Sequence, residues 1–270
     1  MDKFYLNMDM PMMNSKTKQW RLTASFICLF SPFTFAQESN TPAQSAAMGA
    51  PAADISVTET QLKPFTAQYQ VFRSGKQHGT AERYLKKTQQ GYELGYKSDI
   101  DWLIFSDERT ELSRFAVENG QLKTTHYLMQ RSGSGPNRHY ELNLDRQQKT
   151  LSVGKKRKQQ KIEWQENWLD PLSYHTQIVL DIQAGKTDFV YQVLNRDGNP
   201  REYKYKVATE EWLSLPYGKV KALRIERYGQ NPDKQVFAWV APELDYMLVR
   251  LWQSEENVEQ FDVQLLSFQQ

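Results

Sequence analysis

Hydrophobic and polar residues alternate with a period of two along most of the chain from Phe65 onward. In the first such segment, which ends at Val71, an apolar residue occupies every second position. The same alternation recurs over residues 92–100, 203–207 and 261–265. This pattern is typical of antiparallel strands that bury one face and expose the other.

Residues that accept a positive φ separate the alternating segments. Asn119-Gly120 is the strongest of these turn signals, because both residues tolerate the conformation that a two-residue hairpin requires. About a dozen short strands fit between the turns, so we predict a mainly β protein, an antiparallel barrel or a strongly curved half-barrel sheet. The other turn signals are Ser74-Gly75, Gln90-Gly91, Asp197-Gly198-Asn199 and Tyr217-Gly218.

One segment departs from the period of two. Asp170 and Pro171 precede apolar residues at helical spacing, and Gly185 follows them. An acidic cap with proline at the first helical position is typical of a helix start. We predict one covering helix near residues 171–182, because an apolar stripe of this width requires burial against the sheet. The stripe residues expected to face the sheet are Leu172, Ile178, Val179 and Ile182.

The first 36 residues have the pattern of an export signal. Basic residues from Lys16 to Arg21 precede a short apolar run, and Thr34-Phe35-Ala36 ends it with a small-x-small cleavage sequence. The run falls short of the ~20 residues that a membrane-spanning helix needs. We predict a signal peptide that is cut after Ala36 and a periplasmic location. An uncut amino-terminal anchor is the alternative.

Residues 37–63 are rich in Ala, Ser, Thr, Gln and Pro, and we interpret them as a flexible leader before a single β-rich domain at 64–270. Cys28, the only cysteine, lies in the apolar run of the signal. The chain that remains after cleavage therefore forms no disulfide, and this favours a bacterial periplasm. We expect no transmembrane segment after residue 36. The candidate translation starts are Met1, Met8, Met10, Met12 and Met13.

The charge balance argues against a nucleic-acid partner. The full chain has 34 basic and 32 acidic residues, and removal of the signal peptide leaves equal numbers of each. One basic run stands out, and we interpret it as a hairpin tip that keeps a sheet edge soluble. Contact with anionic lipid headgroups or lipopolysaccharide phosphates is the alternative. The run consists of Lys155, Lys156, Arg157, Lys158 and Lys161.

The sequence contains few candidates for catalytic chemistry. The four histidines, at 78, 126, 139 and 175, are not spaced like zinc ligands, so we predict neither a metal nor another cofactor. The chain also lacks the G-x-S-x-G motif of a serine hydrolase. Asp170 and His175 could form a carboxylate-oriented base on the helix. The plainer interpretation is a helix cap beside a half-buried histidine.

Tryptophans provide the candidate ligand-binding residues. Most large aromatic side chains are expected in the core, but a curved sheet under a helix can leave an interior that suits amphiphiles. The tryptophans assigned to such an interior are Trp164, Trp168, Trp212 and Trp239.

Three runs in the carboxyl half carry a family resemblance: Asp170–Ser173, Glu210–Ala222 and Trp239–Tyr246. With Phe65–Tyr69 near the start, they resemble an exported bacterial family, domain of unknown function 3108, over roughly residues 64 to 268. Met247–Arg250 departs from this family, which often has a proline there. The resemblance implies export and a β-rich fold and brings no known catalytic residue.

From these observations we expect a non-enzymatic periplasmic protein that binds a hydrophobic or amphiphilic component of the cell envelope. An envelope hydrolase that acts on glycan or lipid through Asp170 and His175 is one alternative. An interaction module for an envelope protein, without a small ligand, is another. An apolar cavity, a polar cleft or a filled core would favour these three hypotheses respectively.

Overall fold

The computed structural model describes residues 62–102, 105–229 and 233–270. The predicted signal peptide, its cleavage after Ala36 and nearly all of the predicted leader lie outside these residues. Within the described part, fifteen strands form one sheet.

The amino-terminal half of the domain is a meander in which each strand pairs antiparallel with the next. Inward positions alternate with outward ones, as the period of two predicts. In the first strand, for example, Ala67, Tyr69 and Val71 are buried. The strands are β1 (Phe65–Arg73), β2 (Lys76–Thr88), β3 (Gly91–Trp102), β4 (Phe105–Glu118), β5 (Gln121–Gly133), β6 (Arg138–Asp145), β7 (Thr150–Val153) and β8 (Lys158–Gln159).

The carboxyl-terminal half continues with a short strand, the helix and a second meander. Its elements are β9 (Trp168–Leu169), α1 (Tyr174–Gln183), β10 (Asp188–Leu194), β11 (Pro200–Leu215), β12 (Gly218–Tyr228), β13 (Lys234–Ala241), a 3-10 turn (Pro242–Leu244), β14 (Met247–Glu255) and β15 (Val258–Gln269). β9 pairs parallel to β10, and α1 is the crossover that a parallel pair requires.

The sheet is open and strongly curved. β15 pairs antiparallel with β1, so β1 lies in the middle of the sheet, and β8 and β9 form its two edges. α1 is bonded both to the turn before β5, through Gln177, and to β10, through Asp181. Because β5 and β10 are far apart in the strand order, the sheet must bend around the helix to reach it from both sides.

The buried apolar residues form two clusters. One packs α1 against β2–β7 and β9–β13 and contains Trp168 and Ile178. The other joins β1–β3 to β11–β15 and contains Trp239 and Phe261. The concave face of the sheet is therefore filled by the helix on one side and by its own side chains on the other.

The helix begins later than the sequence pattern predicts. Pro171 lies in a turn, because Asp170 Oδ1 accepts hydrogen bonds from the backbone N–H groups of Leu172 (2.8 Å) and Ser173 (2.9 Å). Leu172, Ile178 and Ile182 are buried, as predicted, but Val179 is only half-buried.

α1 has ten residues, and in the described ranges no helix is long and apolar enough to cross a membrane.

The hairpin turns confirm the strongest dipeptide signals. Asn119 and Gly120 both have a positive φ, of 52° and 73°. Ser74-Gly75 behaves in the same way. The turn at Glu256-Asn257 also has two positive φ angles, without a glycine to signal it.

Candidate functional site

Arg83 is a buried cation on the concave face of the sheet. It lies in the middle of β2, where Ala81 and Leu85 are also buried, so the same alternation that directs apolar residues inward directs Arg83 inward. Its neighbours across the ladder are Ala67 on β1 and Tyr96 on β3. The residue is only 7% exposed. A guanidinium at this depth ordinarily has a carboxylate partner.

Arg83 makes neither an ion pair nor a hydrogen bond within the described part of the chain, and its Nε is fully buried. Its guanidinium carbon is 5.9 Å from the centroid of the Phe65 ring, and burial lowers its pKa. The carboxylate of Glu111, in the same cross-strand row, is engaged elsewhere. It accepts a 2.7 Å bond from the Tyr127 hydroxyl and lies 3.5 Å from Arg109. Arg83 is thus a buried charge that lacks a counter-ion.

A cavity and a groove meet at Arg83. The cavity has a volume of about 40 Å³, room for a few water molecules, and its walls include Tyr96, Glu111 and His175. The groove has a volume of about 80 Å³. Arg83 and Leu248 belong to the walls of both. The groove and the cavity therefore adjoin at these two residues.

The groove has mostly apolar walls. It lies between α1, which contributes Val179, and the 3-10 turn, which contributes Leu244. Phe65 and Phe268 are also part of its wall. Val179 packs against the edge of the helix–sheet cluster and also lines the groove, which explains why it is only half-buried. The wall also includes Lys63 and Asp245, which pair with each other at 2.7 Å, so the groove is mainly apolar but carries polar groups.

His175 extends from α1 toward the cavity. Burial lowers its pKa to about 3, and the charge of Arg83 lowers it further in the same direction. The imidazole is therefore neutral at physiological pH. It adds a polar group to the cavity wall without adding a second positive charge.

Both carboxylate oxygens of Asp170 accept hydrogen bonds at the start of the helix. Its Oδ2 accepts hydrogen bonds from the hydroxyls of Ser113 (2.6 Å) and Thr124 (3.2 Å) on β4 and β5. Burial raises the pKa of this carboxyl, and its hydrogen bonds oppose that rise. Among its partners in the described residues, none is His175. The pairing that a hydrolase mechanism would need is not formed.

Two further polar residues fix α1 in place. Gln177 Oε1 accepts a 2.7 Å bond from the backbone N–H of Leu122, and its Nε2 donates a 2.9 Å bond to the carbonyl of Gly120. At the other end, the Tyr191 hydroxyl donates a 2.6 Å bond to Asp181 Oδ2. The cavity wall that α1 provides is therefore held rigidly on two sides.

The structure brings together two of the four candidate tryptophans. Trp164 and Trp168 form a T-shaped pair with ring centroids 5.3 Å apart, and Trp168 is fully buried. Trp239 is buried in the other cluster, whereas Trp212 is 58% exposed. None of the four lines the cavity or the groove at Arg83. Their role in ligand binding stays a prediction.

The basic run forms a hairpin tip. Lys155, Lys156 and Arg157 occupy the turn between β7 and β8, where Arg157 has a φ of 47°. Lys158 lies in β8 and Lys161 follows it, and all five side chains are exposed. Contact with an anionic surface stays a prediction for this run.

Sequence reasoning missed Arg83 as a site residue. The signal was present, because Arg83 has the same parity as Ala81 and Leu85 in an alternating run. A charge at an inward position of a strand is rare, and a buried charge without a partner points to a binding function.

Comparisons with known proteins support the fold and the family. A crystal structure of a beta-barrel-like protein of domain of unknown function DUF1849 from Brucella abortus matches with a TM-score of 0.56. At 8% identity, over 77% of this chain and 98% of that chain, the likeness shows the fold alone. A candidate lipoprotein from Parabacteroides distasonis, at 9% identity over 77% and 96% of the chains, has a TM-score of 0.27 and carries no argument.

A search of curated proteins finds no match. The family model for "Protein of unknown function (DUF3108)" matches residues 57–263. This range covers most of the chain and agrees with the resemblance that its carboxyl half carries. The chain belongs to the DUF3108 family.

Proposed function

We propose that this protein binds an amphiphile with an anionic head group, without catalysis. The head group would pair with Arg83, and the apolar part would lie in the groove beside α1. The observation that carries this proposal is a buried guanidinium that has no anionic partner in the described residues, where a mainly apolar groove and a small cavity adjoin.

The electrostatic argument favours an anion as the ligand. An uncompensated buried charge costs several kcal/mol of folding free energy, on the order of 3 to 5. A carboxylate or phosphate that binds Arg83 would offset this cost through charge-assisted hydrogen bonds, and the planar guanidinium can make two of them at once. Neutral His175 adds a polar contact in the same cavity.

The dimensions favour a single-chain ligand. A cavity of about 40 Å³ accepts a small head group but no acyl chain. The apolar part of the ligand must therefore occupy the groove, whose wall includes Phe65, Val179 and Phe268. Because the groove opens to solvent, the end of a long chain would remain partly exposed.

We propose a periplasmic location for this activity. The export pattern that ends at Ala36 and the cysteine-free sequence after it support this location. A component of the cell envelope is then the natural source of an anionic amphiphile.

Calorimetric titration with decanoate tests the proposal, and decanol serves as the neutral ligand of equal chain length. We expect the wild type to bind decanoate, and Arg83→Met to weaken that binding by about tenfold or more, because a charge-assisted contact is lost. Binding of decanol should be the same in both proteins.

Arg114→Met is the matched control. Arg114 is exposed, pairs with Glu93 at 3.1 Å and is not part of the walls of the groove or the cavity, so this variant should bind decanoate like the wild type. Equal decanoate affinity in wild type and a folded Arg83→Met variant would refute the proposal, as would a wild type that does not bind decanoate.

A further inference from the structure

The chain around the β7–β8 turn carries basic residues without acidic ones. Between Asp145 and Glu163 the sequence has seven lysines and arginines and no carboxylate. Two of these cations, Arg146 and Lys149, lie 3.2 Å and 4.0 Å from the carboxylate of Glu166. The other five form the hairpin tip, and we call them the basic tip: Lys155, Lys156, Arg157, Lys158 and Lys161.

The charge of the basic tip is not compensated by neighbouring side chains. All five side chains are exposed, and within the described part of the chain none of them forms an ion pair or a side-chain hydrogen bond. Lys158 lies opposite Val153 in the strand register, so β7 offers no counter-charge there. On neighbouring β6, the carboxylate of Glu141 is engaged by His126 at 3.5 Å and by His139 at 3.4 Å.

Protection of the sheet edge does not account for this charge. The edge strand β8 has two residues and contains only one of the five cations, Lys158. Charged residues keep an edge soluble when they lie on the edge strand itself. The β11–β12 hairpin instead combines both signs, because Lys221 pairs with Glu210 at 2.6 Å. Four cations outside the edge strand therefore indicate another role.

The base of the basic tip is fixed to the sheet. The N–H of Gly154 donates a 2.8 Å hydrogen bond to the carbonyl of Glu141, and the N–H of Gln160 donates one of 2.8 Å to the carbonyl of Leu151. The N–H of Arg157 closes the turn with a 2.8 Å bond to the carbonyl of Gly154. The turn thus presents its cations together at one place on the surface.

We propose that the basic tip docks the protein on an anionic lipid bilayer. Clusters of lysine and arginine are attracted to anionic headgroups. Four of the five residues are lysines, whose hydrated point charges suit a diffuse anionic surface better than a single bidentate site. Residues 154–161 include no aliphatic or aromatic residue, and lysine is depleted at protein–protein interfaces. A bilayer surface therefore fits the tip better than a protein partner.

The docking surface is separate from the ligand site at Arg83. None of the five residues belongs to the walls of the groove or of the cavity. The bilayer would be one of the cell envelope, and this part of the proposal rests on the proposed periplasmic location. Docking there would hold the protein where anionic amphiphiles are concentrated.

Sedimentation with vesicles of phosphatidylglycerol and phosphatidylcholine in equal parts tests the proposal. We expect the wild type to sediment with these vesicles at low ionic strength but not with phosphatidylcholine alone. Lys155→Gln/Lys156→Gln/Lys158→Gln should weaken the vesicle affinity by about tenfold or more, because each charge near the surface contributes to the attraction. The difference should shrink at physiological ionic strength, where exposed charges are screened over ~8 Å.

Lys76→Gln/Lys87→Gln/Lys206→Gln is the matched control, because it removes the same net charge from exposed residues of β2 and β11. It should bind the vesicles nearly as well as the wild type, and urea unfolding checks that both triple variants fold. Equal losses of vesicle affinity in the two triple variants would overturn the proposal. A wild type that binds soluble polyglutamate but not the vesicles would also overturn it, in favour of an acidic protein partner.

Arg83→Met distinguishes this surface from the amphiphile site. A folded Arg83→Met variant should sediment with the vesicles like the wild type. Loss of sedimentation in this variant would mean that the lipid binds in the groove, which would refute docking through the basic tip. If decanoate does not bind but sedimentation still depends on the tip lysines, the amphiphile site alone is refuted and the docking surface is supported.

Discussion

Arg83 is a buried arginine and Arg250 is a half-buried one, and their surroundings differ. Arg250 donates two hydrogen bonds of 2.8 Å to the carboxylate of Asp262, a bidentate pair. Arg83 has no such partner within the described residues. The same substitution should therefore have opposite effects on stability at the two positions.

We predict that Arg83→Met raises the free energy of unfolding by about 1 kcal/mol or more, because it removes an uncompensated buried charge. Arg250→Met should lower it by about 3 kcal/mol, because it leaves Asp262 without its partner. Urea unfolding of both variants measures the difference. If Arg83→Met were destabilised as strongly as Arg250→Met, Arg83 would have a compensating partner in the folded protein.

His175 makes stability depend on pH. Its pKa is lowered from 6.5 to about 3 by burial and by Arg83, so the folded state favours the neutral imidazole. The unfolded chain binds a proton below about pH 6.5 that the folded protein does not bind. Stability contributed by the neutral imidazole is thus complete above that pH and is lost as the pH falls toward 3.

We predict that wild-type stability decreases by up to about 1.4 kcal/mol per pH unit below pH 6.5 through this residue alone. His175→Gln lacks the titrating group, so its stability should decrease less between pH 7 and pH 4.5. Carboxylates titrate in both proteins, and the difference between the two unfolding curves isolates the histidine. Identical pH dependence would mean that the pKa of the imidazole is the same in the folded and unfolded states.

At the scale of elements, α1 depends on both apolar burial and polar anchors. Ile178 is buried against the sheet, whereas Gln183, at the end of the same helix, is exposed. We predict that Ile178→Asp lowers the free energy of unfolding by about 3 kcal/mol or more, because it buries an unpaired carboxylate. Gln183→Asp should change it by less than about 0.5 kcal/mol. Thermal unfolding of the two variants tests the position of the helix.

At the scale of the whole molecule, the last strand of the described chain pairs with the first. β15 pairs with β1, which places the start of the domain in the middle of the sheet rather than at an edge. Leader residues that precede β1 therefore join the domain beside the groove, where Leu62 and Lys63 form part of the wall. Processing of the chain before this point should leave the fold intact.

We predict that the exported protein begins at Gln37. The small-x-small sequence that ends at Ala36 is the expected cleavage site. Amino-terminal sequencing of protein from the periplasmic fraction measures this directly. Retention of residues 1–36 would remove the basis for the periplasmic assignment.

The amino-acid sequence by itself determined the elements and most of their inward faces. The period of two predicted the strands, because residues i and i+2 share a face whatever lies beside the strand. Asn119-Gly120 predicted its turn, because local φ preferences decide it. The helix was predicted, but its start was placed three residues too early, because Asp170 Oδ1 holds Leu172 and Ser173 in a turn. Asp170 Oδ2 is fixed by Ser113 and Thr124, which are distant in the sequence.

Only the tertiary structure decided which strands are neighbours and in which register. Periodicity directs Arg83 inward, but the lack of a carboxylate opposite it depends on how β1, β2 and β3 align. Pairing between strands that are distant in the sequence leaves no local pattern, and the proposed site at Arg83 arises from such pairing.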